Sequence, residues 1–185
     1  QVNNTGANAI NLSGVGVSLG NGASSAVGAS TAGKVSIDAN GGALSTVASS
    51  TIASSLGTGL AIELIGGTMS LLGTTTASGA SGEVHIVAGT TTTNINLGGA
   101  GSGGELELSA AELNTISADI LEIGDNTTTG AITLTGAWTP GATVGDTYLG
   151  FETTGAVTAT AAALTMSTST GNLVVRAGGA VNLGT

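Results

Sequence analysis

A short alternating motif that recurs about every 25 residues constrains the fold of this chain more than any other feature. In one copy, Gly82-Glu83-Val84-His85-Ile86, two aliphatic residues flank a polar one. Such alternation is typical of a strand with one buried face. Successive copies lie 22–27 residues apart. Their first aliphatic residues are Ile10, Val35, Ile62, Val84, Leu106, Ile132, Val157 and Val181.

A second aliphatic series runs between the copies of the first, with steps of 25–27 residues. Gly, Asn, Ser and Thr fill the gaps, which is the composition of turns. A unit of this size is too small to bury its own core, but stacked units can bury one together. The sequence therefore predicts an all-β chain, a parallel β-helix of about eight coils of 22–27 residues. The second series comprises Leu19, Leu44, Met69, Ile95, Leu121, Tyr148 and Leu173.

The central polar residue of each motif points outward in this register, and adjacent strands are about 4.8 Å apart. His85 is then expected between Glu63 and Glu107. Imidazole and carboxylate groups together can form a weak metal-binding or pH-responsive site. The simpler interpretation, which we favour, is a cross-strand ion pair in which protonated His85 relieves carboxylate repulsion. We therefore predict no metal and no cofactor, and Glu63, His85 and Glu107 are weak metal candidates.

Composition excludes several functional classes. The chain has two basic residues against eleven acidic ones, so a nucleic acid is not an expected partner. It has no cysteine, hence no disulfide and no thiolate nucleophile or ligand. No apolar run approaches the roughly 20 residues of a membrane helix, so membrane insertion is not expected. Glu105 and Glu107 share one strand without a nearby aromatic residue, which argues against a glycosidase. We predict that the protein is not an enzyme.

All three aromatic residues, Trp138, Tyr148 and Phe151, fall within one short segment that also contains the sole proline, Pro140. Two interpretations are open. Exposed aromatic side chains there would serve as interaction anchors. Alternatively, the rings fill the interior of a widened coil, an interpretation that the place of Tyr148 in the second series supports.

The stretch Leu113–Asp125, with Thr129–Gly136 and Asn172–Leu183, resembles the repeat region of filamentous-haemagglutinin-like exoproteins. These are large bacterial surface or secreted proteins exported by two-partner secretion. The resemblance implies a right-handed β-helix and a role in adhesion, biofilm formation or contact-dependent toxicity. The Asn-Pro motifs of that family's secretion domain are absent, so the resemblance is to the shaft.

Together these observations predict that residues 1–185 form one right-handed β-helix segment, a fragment of a longer solenoid. The expected function is that of a structural shaft in an adhesin-like exoprotein, extracellular or on the bacterial outer cell surface. Its expected partners are neighbouring coils or copies of itself, and any host ligand is unidentified. The alternative is a fibre or matrix subunit that stacks end to end. A carbohydrate-active β-helix enzyme is a third, less favoured interpretation.

Overall fold

The computed structural model describes residues 1–20, 24–29, 33–99, 103–159, 164–166 and 171–184. This part of the chain is almost entirely β, with strands β1–β19 and one short helix, α1, numbered in chain order. Each strand pairing between them is parallel. The strands stack as a β-solenoid of about seven turns, which confirms the predicted β-helix.

The strands form three walls around one apolar interior. Wall A consists of β1 (Val2–Asn4), β4 (Ala26–Ala29), β7 (Thr51–Ser54), β10 (Thr74–Ala77) and the first residues of β14. Wall B consists of β2 (Ile10–Ser13), β5 (Val35–Asp38), β8 (Thr58–Gly66), β11 (Ser81–Ala88), β14 (Ile116–Gly124), β16 (Val144–Thr153) and β18 (Asn172–Ala177).

Wall C contains two strands in reversed order. Its spatial order is β3 (Val17–Leu19), β6 (Ala43–Thr46), β9 (Thr68–Leu71), β13 (Leu106–Ser109), β12 (Ile95–Gly98), β15 (Ile132–Leu134), β17 (Val157–Ala159) and β19 (Val181–Asn182). After β11 the chain thus forms β12 first and then returns to place β13 between β12 and β9. One turn therefore contributes two strands to wall C.

This extra strand corrects two sequence expectations. Val84 and Leu106 belong to one turn, so counting each as a separate coil gave eight coils instead of seven. The two aliphatic series also exchange walls at this point. Val84 stacks on Leu121, a member of the second series, whereas Leu106 stacks on Ile95. Equal periods made the two series interchangeable in the sequence.

Two further residues of the second series, Leu19 and Tyr148, do not stack in the predicted register. Leu19 pairs with Thr46, and Leu44 pairs with Val17, so the strands are offset by two residues from the expected alignment. Between β14 and β16 the register shifts after Ala118. That irregularity places Leu149, not Tyr148, on the interior ladder beside Leu121.

The interior is built almost wholly from small aliphatic side chains. Ile37, Ile62, Leu64 and Ile86 are completely buried. The turns between walls pass very close together, and glycine permits this approach. A Cβ on Gly67 would lie 2.1 Å from the backbone oxygen of Gly41 in the preceding turn. Tight corners of this kind explain why such a narrow rod requires many glycines.

Helix α1 (Ala110–Leu113) is an element that the sequence analysis missed. Ser109 and Glu112 form a capping box, in which the Ser109 side chain accepts a hydrogen bond from the Glu112 backbone N–H. Glu112 Oε1 also accepts a hydrogen bond of 3.2 Å from the backbone N–H of Leu71 in β9. The capped turn therefore fixes β13 beside β9.

Candidate functional site

The outer face of wall B carries a ladder of charged side chains that begins at Lys34. The Lys34 ammonium contacts Glu63 Oε2 at 2.8 Å, and the Ser36 hydroxyl donates to the same oxygen at 2.9 Å. Partial burial pushes the pKa of Glu63 upward. The hydrogen bonds from Lys34 and Ser36 and the charges of Lys34 and His85 outweigh burial, so this pKa lies below its ordinary value. Glu63 is therefore an ionised, well-compensated carboxylate.

His85 occupies the next rung and pairs in register with Glu63, as the sequence predicted. On its other side it pairs with Glu122 and not with Glu107. Its Nε2 atom lies 2.6 Å from the backbone oxygen of Gly124. This contact requires a proton on Nε2 and directs the nitrogen at the backbone.

Glu107 lies on wall C, where it pairs with Asn96 of β12. Its carboxylate accepts a hydrogen bond of 3.1 Å from the backbone N–H of Gly103. The predicted grouping of Glu63, His85 and Glu107 is therefore wrong, because the strand inserted into wall C moved Glu107 off this ladder. Among the described residues, no group of three or more His, Cys, Asp or Glu side chains is arranged to hold a metal ion.

The side chain of Glu122 is only 12% exposed, less than that of Glu63 or Glu152. Its Oε1 accepts a hydrogen bond of 3.0 Å from Arg176 Nη1, which belongs to a strand two rungs away. Its Oε2 accepts a hydrogen bond of 3.1 Å from the Tyr148 hydroxyl. This cluster was not predicted from the sequence, because the spacing of the motifs does not show that the two aliphatic series exchange walls after β11.

Glu152 stands next to this pair, with Oε2 3.9 Å from Arg176 Nη1. Partial burial, followed by the hydrogen bond and the charge of Glu122, raises the pKa of Glu152 above its ordinary value. The charge of Asp125 acts in the same direction, and only Arg176 opposes these effects. One guanidinium thus contacts two neighbouring carboxylates.

Three further acidic residues of the central region, Glu105, Glu112 and Asp125, each make a local contact. Glu112 caps α1, and Glu105 accepts a hydrogen bond from the Asn96 side chain on wall C. Asp125 closes a turn by accepting from the backbone and hydroxyl groups of Thr127 and Thr128. Partial burial raises the pKa of Asp125, but these hydrogen bonds outweigh burial, so the pKa lies below its ordinary value.

The aromatic side chains are mostly internal. Trp138 and Phe151 are each 1% exposed, so neither ring is available on the surface as an anchor. The indole N–H of Trp138 donates to Asn114 Oδ1 at 3.1 Å. Tyr148 is half-buried on the outer face and holds Glu122. These positions agree with the interior interpretation for Trp138 and Phe151 but not for Tyr148.

Comparisons with models of protein families, with curated proteins and with solved structures gave no match to this chain. In the part of the chain that the structure describes, no helix is both long enough and apolar enough to span a bilayer.

Proposed function

We propose that this chain is a structural shaft segment of a surface-exposed or secreted bacterial adhesin-like exoprotein. The observation that carries the proposal is the continuous aliphatic ladder of wall B. It runs from Ile10 through Val84 and Leu121 to Leu173 without a polar interruption. Six strand spacings give a stiff stack of roughly 30 Å.

The outer surface supports the same proposal. Charged side chains are engaged with one another across successive turns, as in the contacts of Lys34 with Glu63 and of Arg176 with Glu152. Such contacts tie neighbouring turns together along the rod. The resemblance of the repeats to filamentous-haemagglutinin-like exoproteins supplies the extracellular setting and the adhesive context.

A shaft has a modular length, and this property gives a direct test. Deleting residues 51–73 removes one turn and brings Thr74 to the place of Thr51, its partner in wall A. We expect the shortened chain to fold cooperatively, with a rod shorter by about 5 Å in small-angle scattering. The matched control deletes residues 62–73, which is about half a turn, and should not fold. Failure of the whole-turn deletion together with the control would contradict the modular shaft.

Electron microscopy of the purified chain distinguishes the alternatives. A shaft segment by itself gives single short rods. Long filaments would instead support the fibre subunit, whose end-to-end contacts form open assemblies. Cleavage of a polysaccharide by the wild type, abolished by Glu105→Gln and Glu107→Gln, would support the enzyme.

A further inference from the structure

We propose that Glu122, Glu152 and Arg176 form an acid-strengthened clamp that fastens the sixth and seventh turns of wall B to the fifth. The three residues lie on β14, β16 and β18, which are successive strands of this wall. Arg176 reaches across β16 to Glu122, so the last strand is bound both to its neighbour and to the strand beyond.

At neutral pH the clamp holds two carboxylates and only one cation, Arg176. Glu122 already receives two donors, the guanidinium of Arg176 and the hydroxyl of Tyr148. The same guanidinium lies farther from Glu152, at 3.9 Å from its Oε2 atom. Glu122 pairs in register with Gly150 and Glu152 pairs with Gly124, so the two carboxylates are diagonal neighbours on adjacent strands, within reach of long side chains. They share one cation, and their like charges repel each other.

A proton on Glu152 removes this repulsion. The protonated carboxyl group becomes a hydrogen-bond donor, and Glu122 beside it is the acceptor. Arg176 then compensates Glu122 alone. The contact between β14 and β16 therefore changes from a repulsion into a hydrogen bond.

Other ionisable groups lie around the clamp and could also affect its stability. Asp125 follows β14 and adds negative charge near Glu152. Burial, then the charge and hydrogen bond of Glu122 and the charge of Glu83 on β11, raise the pKa of Tyr148, so its hydroxyl remains a donor. His85 on β11 pairs in register with Glu122 and is the other ionisable group in contact with the clamp. A test must therefore separate Glu152 from His85.

The direction of the effect follows from proton linkage. An acid whose pKa is higher in the folded than in the unfolded chain binds protons more tightly when folded. The stability of the clamp should thus rise as the pH falls from neutral through the raised pKa of Glu152. The gain is complete below the ordinary value of 4.5.

Amide hydrogen exchange of the full chain tests the proposal, because it reports the opening of a single strand. After correction for the intrinsic rate, the β18 amides should exchange about twofold to fivefold more slowly at roughly pH 5 than at pH 7.5, the range expected for partly exposed charge pairs. Glu152→Gln mimics the protonated group, so it should give slow exchange at both pH values. His85→Gln should leave the pH effect in place.

Two further variants complete the design. Glu107→Gln removes a carboxylate from wall C and controls for the general loss of negative charge, so it should retain the pH effect in β18. Arg176→Gln removes the only cation of the clamp and should enlarge the acid gain. The proposal is overturned if Glu152→Gln keeps the wild-type pH effect, or if His85→Gln abolishes it.

Discussion

Truncation of Leu121 to alanine tests the interior ladder of wall B at its centre. Leu121 is completely buried and stacks in register between Val84 of β11 and Leu149 of β16. Both neighbours are also completely buried. The side chain is therefore enclosed along the axis of the rod, and the neighbouring strands cannot collapse into the space without breaking their ladders.

The expected cost follows from this burial. Leu121→Ala removes three carbon groups, each worth about 0.8 kcal/mol when buried, which gives about 2.4 kcal/mol. The cavity left in a rigid ladder adds to this loss. We therefore expect the free energy of unfolding to fall by about 3–4 kcal/mol, within the range of buried leucine truncations.

Urea unfolding followed by Trp138 fluorescence measures this change. With a slope of about 2 kcal/mol per molar, the midpoint should fall by roughly 1.5–2 M. The matched control is Leu173→Ala, which makes the same change one rung beyond Leu149, where the side chain is 36% exposed. The control should lose less than about half as much, since part of its surface already meets water. Equal losses at the two positions would refute the reasoning.

Three other predictions follow from single contacts. The pKa of Glu63 is lowered in the folded chain, so ionised Glu63 stabilises the fold above pH 4.5, its ordinary pKa, and this stabilisation should be lost at lower pH. Below pH 4.5, hydrogen exchange of the β8 amides should therefore become faster in the wild type but not in Glu63→Gln. Trp138 should emit at short wavelength, as a buried indole does, and Trp138→Ala should cost about 3–5 kcal/mol in urea unfolding. Gly67→Ala should cost about 1–3 kcal/mol through its clash with Gly41. Gly57→Ala, with no atom within 4 Å of the added Cβ, should unfold at nearly the wild-type urea concentration.

The strands of this protein were predictable because their alternation is local. A residue such as Val84 is buried on a strand wherever that strand lies, so the motif identified it correctly. The residue that stacks on Val84 in the next turn is not determined locally. It depends on which wall each strand joins, and two series of the same period give no local signal for that choice. The exchange at β12 and β13 therefore could not be read from spacing.

The prediction of the neighbours of His85 was partly wrong for the same reason. By sequence alone, Glu107 and Glu122 are equally plausible neighbours of His85. One signal was available and was missed. Ser109 and Glu112 form the Ser-x-x-Glu pattern of a helix N-terminus, which would have indicated a break between β13 and β14. Recognising that break would have shown that the turn holding β13 is irregular.

Engineered disulfides test the ladder exchange most directly, because the chain has no native cysteine. Residues paired on adjacent parallel strands are about 4.8 Å apart, which suits a disulfide. We expect the pair His85→Cys with Glu122→Cys to cross-link rapidly under mild oxidation, and Asn96→Cys with Glu107→Cys to do the same. The pair His85→Cys with Glu107→Cys should remain reduced. Rapid cross-linking of this last pair, with none between positions 85 and 122, would contradict the exchanged ladders.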